Sequence, residues 1–199
     1  MNQYKAEHAR RVELHGEEYH HSSENLDQPG EYFRVVGRFN GDWHNDLFEE
    51  KKRLSEQAWN ETDIIEVGVL KYEDMPPVFQ NIVDAFSFNR IISCKVQNQK
   101  PGSTVVNHHD DFTSQVNEGE RAVRFIVFLE HWSPGQVVVY GNYTFDRWPK
   151  GLVVFSDYEK IPHATANVSS EERSVMLITA VASQKTTELI AYGMGIVDV

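Results

Sequence analysis

From residue 90 onward the chain is a succession of short β-rich runs separated by turn signals, and this texture limits the fold more than any other feature. Runs at 91–97, 104–109, 122–131, 136–143, 152–155, 163–168 and 173–181 read as strands. Between them stand Lys100-Pro101-Gly102, Asn117-Glu118-Gly119, Ser133-Pro134-Gly135, Trp148-Pro149-Lys150-Gly151 and Ser169-Ser170-Glu171-Glu172, whose glycines, prolines and small polar residues reverse a chain at low cost. Many short strands with close turns predict a sandwich or jelly roll. Upstream the periodicity differs. Residues 31–39 read as a strand, and 45–59 as a helix carrying Leu47, Phe48, Leu54 and Ala58 at helical spacing with Asn45 as N-cap. A strand at 64–72 follows. Pro76-Pro77 then opens a second helix to about Phe88, with Val78, Ile82, Val83 and Phe86 on one face. Residues 1–30 are polar and read as a loosely ordered arm. Residues 31–199 read as one domain, mostly β with flanking helices, the two N-terminal helices packing outside a sheet. A chain of 199 residues is long enough for one good core and short for two.

Charge narrows the partners. The formal net charge of -11 argues against a nucleic-acid partner, because phosphate binding draws on clustered Lys and Arg. Cys94 is the single cysteine, so no internal disulfide staples the chain. No stretch approaches the roughly 20 apolar residues of a membrane span, and the first residues lack the apolar core of a signal peptide. The expectation is a soluble cytoplasmic protein without membrane contact, in which the Asn-x-Ser/Thr triplets at Asn60, Asn142 and Asn167 are chance patterns.

Against this background a few residues carry metal chemistry. His108-His109-Asp110-Asp111 follows the Pro101-Gly102 turn on an expected strand, and His163 opens a later one after Pro162. A His-x-Asp pair on a strand puts an imidazole and a carboxylate on one side, since side chains alternate faces. A distant histidine completes two nitrogens and one oxygen, a set that occupies one face of an octahedron and leaves the others open. Two registers fit, His108 with Asp110 and His109 with Asp111, and adjacent strand residues cannot both face the metal. Arg173 heads the apolar run Arg-Ser-Val-Met-Leu-Ile-Thr-Ala-Val, where an unpaired cation is costly, so it invites an anion. The bland readings are pairing of Arg173 with Glu171, and of Arg124 with Glu130 or another acid. Gln97 is a candidate donor to a bound carboxylate. His8, His15, His20 and His21 read as solvated, His44 as a helix-start residue and His131 as exposed. Trp132, Trp148 and Phe155 read as core. No phosphate-cradling glycine loop and no Gly-x-Ser-x-Gly element occurs.

Taken in order, Pro101-Gly102, His108-His109-Asp110-Asp111-Phe112, Leu129-Glu130-His131-Trp132, Pro134-Gly135-Gln136, Trp148-Pro149-Lys150-Gly151, Pro162-His163 with Asn167, and Arg173 resemble the 2-oxoglutarate- and iron(II)-dependent dioxygenases. The likeness is to the prolyl-hydroxylase and aspartyl/asparaginyl-hydroxylase type, especially its compact phage and bacterial members, and spans roughly residues 95–182. An aromatic residue often precedes the first histidine in that family; Asn107 stands there in this chain. The resemblance implies a double-stranded β-helix, a jelly roll of cupin-like shape. It places Phe112 two residues after the ligating aspartate, which selects His108, Asp110 and His163 as the iron ligands and catalytic set. It implies Arg173 as the partner of the distal carboxylate of 2-oxoglutarate, and hydroxylation of a small molecule, amino acid or protein side chain with release of succinate and CO2, O2 being the oxidant. Two other classes compete: a cupin-like metal isomerase or hydrolase needing no oxo acid, and a non-catalytic jelly-roll binding module. The first has no use for Arg173; the second binds no stoichiometric metal.

Overall fold

The computed structural model describes residues 33–57, 65–141 and 143–199. The expected polar arm, with its histidines, the end of the first helix, and Asn60 and Asn142 lie outside the described residues. In chain order the elements are β1 (Phe33–Asn40), α1 (His44–Gln57), β2 (Ile65–Val69), α2 (Pro77–Asp84), β3 (Arg90–Gln99), β4 (Ser103–His108), β5 (Ala122–Phe128), β6 (Gln136–Tyr140), β7 (Tyr143–Phe145), β8 (Leu152–Ser156), β9 (His163–Asn167), β10 (Arg173–Val181), α3 (Gln184–Tyr192) and β11 (Gly195–Asp198).

The strands form a seven-stranded sheet, ordered β11-β1-β8-β5-β10-β3-β2, and a four-stranded sheet, ordered β4-β9-β6-β7. From β3 to β10 the chain alternates between them: β3, β5, β8 and β10 join the larger sheet, while β4, β6 with β7, and β9 join the smaller. Pairing is antiparallel except between β1 and β11. That alternation is the winding of a double-stranded β-helix, and the mostly-β jelly-roll class expected from the strand texture is the fold observed.

β10 shows why the long apolar run is buried on both faces. Its Met176 and Ile178 enter a core with Leu47 and Leu54 of α1, Phe79, Ile82 and Val83 of α2, and Phe125 and Val127 of β5. Its Val175 enters a second core, between the sheets, with Ile126 and Phe128 of β5, Val138 and Tyr140 of β6, and Trp148, Val154, Tyr158 and Ile161. Each such side chain removed from water contributes about 1.5–3 kcal/mol, so the helices seal one face of the large sheet and the small sheet seals the other.

Several local expectations shift. α1 begins at His44, whose N–H is accepted by Asp42 Oδ1 at 3.2 Å, so Asn45 lies inside the first turn instead of capping it. α2 stops at Asp84, and the chain turns through Ser87 at φ 52°. The run 136–143 is two strands, folded back at Gly141 so that Tyr140 faces Tyr143. The segment after Val181, given no structure from sequence, forms α3 and β11. Ser183 caps α3 reciprocally with Thr186, a variant of the capping box with threonine in place of the usual Glu or Gln. Gly151 closes the Trp148–Gly151 turn at φ 83°; a Cβ there would lie 2.0 Å from Phe39 O, so this turn can hold β1 only with glycine.

Candidate metal centre

β4 and β9 are antiparallel neighbours in the small sheet, and their register sets His108 opposite His163. The imidazole centroids are 4.2 Å apart. Each ring is oriented from behind. His108 Nδ1 lies 2.8 Å from Val106 O, and His163 Nδ1 lies 3.4 Å from Ile161 O. A carbonyl only accepts, so each Nδ1 carries the hydrogen and each Nε2 keeps a lone pair.

Asp110 arrives differently from the strand-alternation expectation. β4 ends at His108, and Asp110 sits in the loop beyond it. Its backbone N–H donates to Tyr158 O at 3.1 Å, and the Phe112 N–H donates to Glu159 Oε1 at 3.0 Å. The loop between β8 and β9 therefore fixes the carboxylate. Asp110 Oδ2 is 3.5 Å from His163 Nε2 and Oδ1 is 3.9 Å from His108 Nε2. Ligand atoms of these three residues lie within 4.8 Å of one another. Adjacent octahedral ligands at ~2.1 Å from a metal stand about 3 Å apart, so a small contraction would enclose a divalent ion. His109 is buried outside this cluster, and exposed Asp111 accepts from the N–H and hydroxyl of Thr113.

Charge states suit a metal. Burial pushes the Asp110 carboxyl up, but the neighbouring His163 and the guanidinium of Arg124 outweigh it and hold it well below the usual carboxylate range. Burial pushes the His163 imidazole below its ordinary value, toward the neutral form that can ligate. Two neutral nitrogens and one carboxylate oxygen, with no sulfur, fit a borderline divalent ion such as iron(II).

Arg173 lies at the head of β10, 3% exposed, paired in register with Gln99. Nη1 reaches Val137 O at 3.4 Å, while Nε has no hydrogen-bond partner. Among the described residues no carboxylate forms an ion pair with it, Glu171 included. Burial lowers its pKa to about 10, against the opposing influence of Tyr140 and Tyr158. A buried guanidinium with an orphaned N–H leaves room for an anion. Gln97 pairs with Val175, one turn of the pleat away. Gln99 is the residue opposite Arg173, and its amide is engaged by Ser103 O and the Thr165 hydroxyl.

Sequence reasoning did not anticipate a pair of tyrosines. Tyr140 and Tyr158 are buried with hydroxyls 3.2 Å apart, and Tyr158 packs edge-on against the His163 ring at 4.1 Å. Burial raises both pKa values, that of Tyr140 to about 12 despite the cations Arg173 and Arg124. The inward alternation of Val138 and Tyr140 on β6 was the available signal; for Tyr158, in a loop, there was none. Arg124 pairs with Asp110, while Glu130 pairs with Lys51 at 2.8 Å. Trp148 and Phe155 are core, Trp132 is half-buried with its indole N–H donating to Gln136 O, and exposed His131 accepts from the Lys150 N–H.

No family model and no curated protein matches this chain. Solved structures do. A Pseudomonas putida prolyl-4-hydroxylase is similar at TM-score 0.56 and 14% identity, over 81% of this chain and 99% of that one. A viral collagen prolyl hydroxylase from Paramecium bursaria Chlorella virus-1, in its 2OG complex, is similar at TM-score 0.53 and 17% identity, over 77% and 97%. A Trichoplax adhaerens prolyl hydroxylase bound to a hypoxia-inducible-factor peptide is similar at TM-score 0.55 and 13% identity, over 94% and 97%. No helix among the described residues is long and apolar enough to cross a membrane. The chain thus has the jelly-roll fold of the 2-oxoglutarate- and iron(II)-dependent dioxygenases, with a His-Asp-His cluster between its sheets.

Proposed function

We propose that this protein is an iron(II)- and 2-oxoglutarate-dependent oxygenase, its iron held by His108, Asp110 and His163 and the distal carboxylate of the oxo acid held by Arg173. The observation that carries the reading is Arg173: a buried cation lacking a carboxylate partner among the described residues and keeping one N–H unused. An unpaired buried charge costs several kcal/mol, and a dicarboxylate cosubstrate would repay it. A cupin-like enzyme acting without an oxo acid leaves that cost unexplained. Iron(II), when bound, would activate O2, the oxidant, one oxygen atom entering succinate as 2-oxoglutarate is oxidised and loses CO2 and the other being inserted into a substrate C–H bond.

The chain's own contribution is position and dryness. His108 and His163 present Nε2 because backbone carbonyls hold the other nitrogens. Asp110 is held by the Tyr158–Glu159 loop. Arg173 presents a planar fork that a carboxylate can accept from through both oxygens. Tyr140 and Tyr158 fill the interior near that fork and exclude water, which strengthens the pair. The substrate we propose is a small molecule, a free amino acid or a peptide side chain. The test is anaerobic: iron(II) plus 2-oxoglutarate should give a weak visible charge-transfer band, and admitting O2 should form succinate, faster when a screened amino acid or peptide is a substrate. Absence of both the band and succinate overturns the reading.

A further inference from the structure

Arg124 is tied to the metal cluster by contacts that go beyond charge balance. It projects from β5 on the face that carries Ile126 and Phe128 into the inter-sheet core. Its guanidinium is held on three sides. Nε donates to the Thr179 hydroxyl on β10 at 2.9 Å. Its carbon lies 4.4 Å from the ring centroid of Phe112 and 4.8 Å from that of Tyr158. Nη1 donates to Asp110 Oδ2. The two rings belong to the segments that place Asp110: Phe112 lies two residues beyond it, and the Tyr158 carbonyl accepts its N–H. The guanidinium cannot move without disturbing the loop that presents the carboxylate.

We propose that Arg124 is a positioning residue that commits Asp110 to coordination through a single oxygen; this rests on the metal-site reading above. A carboxylate with both oxygens free can chelate a divalent cation, taking two coordination positions. Here Oδ2 accepts a charge-assisted hydrogen bond from Arg124 while lying 3.5 Å from His163 Nε2, and Oδ1, 3.9 Å from His108 Nε2, is the oxygen that Arg124 does not engage. Two imidazoles and one oxygen leave three octahedral positions open; two imidazoles and a chelating carboxylate leave two. A bidentate cosubstrate would fill those two and leave none for O2. Simple electrostatics predicts something else: a cation beside the site repels a metal ion, so its removal would only tighten metal binding. The number of open positions separates the two accounts.

The experiment loads the full chain with Co2+ or Mn2+ without cosubstrate, and reads the Co2+ visible spectrum and the exchangeable waters on Mn2+ by water-proton relaxation. Arg124→Met should lose one exchangeable water and shift the Co2+ bands. With 2-oxoglutarate added, the parent should keep one exchangeable water and the Met variant none, because the oxo acid then fills the two remaining positions. Arg124→Lys should restore the water count, since an ammonium can still occupy Oδ2, while Thr179→Val, which removes only the Nε anchor, should shift the spectrum less. Should the Met variant fail to fold, Arg124→Gln, too short to reach Asp110, serves in its place with the same expected outcome. Parental spectra and parental water counts, with and without 2-oxoglutarate, in the Met or Gln variant would overturn the role of Arg124 while leaving the metal site standing. Failure of the parent to bind Co2+ or Mn2+ would overturn both.

Discussion

The two cores on either side of the large sheet share strands but differ in kind. Beneath the helices, the core around Phe125, Met176 and Ile178 is built of apolar side chains with Cys94 among them, and the buried Glu66, Asn98 and Ser174 on the same face are bonded to one another. Between the sheets, the core around Ile126, Phe128 and Val175 includes two tyrosines and borders His163, Asp110, Arg124 and Arg173. β5 and β10 feed both, because consecutive side chains on a strand point to opposite faces. The contrast teaches that this chain separates stability from chemistry by face. The cluster of His108, Asp110 and His163 and the buried Arg173 lie on one side, while the buried polar groups of the other side, such as Glu66 with Asn98 and Lys100, are paired among themselves and apolar burial there offsets their cost.

Four experiments can break or sharpen this contrast. The largest effect belongs to His163→Ala, which removes a nitrogen that the small sheet holds in place: stoichiometric iron binding should disappear while the circular-dichroism spectrum and melting transition stay near parental. Full metal affinity in that variant would dissolve the inter-sheet assignment. Next comes Cys94 in the other core. Burial pushes its thiol from 9.0 up to about 12, so at pH 8 its thiolate fraction is roughly a thousandfold below that of an exposed cysteine, and labelling by a thiol reagent should be slowed about that much until the chain unfolds. The sign extends to stability: a raised pKa stabilises the fold below pH 9 and that contribution is lost progressively as pH rises above it, an effect absent in Cys94→Ala. Rapid native labelling would show that the helix-side core is open.

Phe125→Ala should cost about 3–5 kcal/mol in denaturant unfolding, the usual range for emptying a buried aromatic, with metal affinity of the folded fraction unchanged. If metal affinity falls in proportion, the faces are coupled and the separation fails. Arg173→Ala should spare iron and weaken 2-oxoglutarate by about 2–5 kcal/mol, two to three decades of affinity or more. Arg173→Lys should recover part of the loss, because an ammonium lacks the planar fork. A calorimetric titration giving parental 2-oxoglutarate affinity for the Ala variant would remove the support that Arg173 lends to the oxygenase reading.

Much of this was legible in residue order. The run from 173 to 181 coincides with β10 as observed, because a strand buried on both faces reads as unbroken apolar sequence. His108 could be picked out because it follows Val105 and Val106 on a strand behind the Pro101-Gly102 turn, and His163 because it opens a strand directly after Pro162. The bounds of the weaker elements drifted: α2 ended early, and one apparent strand proved to be two. α2 gives way near Ser87 without a Gly or Pro to mark the turn, whereas the pair Gly141-Asn142 is a hairpin signal inside the run 136–143 that the strand reading overlooks.

Residue order alone therefore carries the alternating texture of the strands, the two helices before them, and the residue types able to ligate a metal. Those follow from side-chain periodicity and donor chemistry, which act over a few neighbours along the chain. Only the tertiary structure decided that His108 faces His163, that Asp110 is delivered by a loop pinned to Tyr158 and Glu159, that Arg124 answers Asp110 and not Glu130, and that Arg173 has no carboxylate partner among the described residues. The physical reason is range. Those relations join residues far apart in the chain that meet only when strands such as β4 and β9 pair and the two sheets close on one another, and an acid or base has no preferred partner until burial removes water as the competitor.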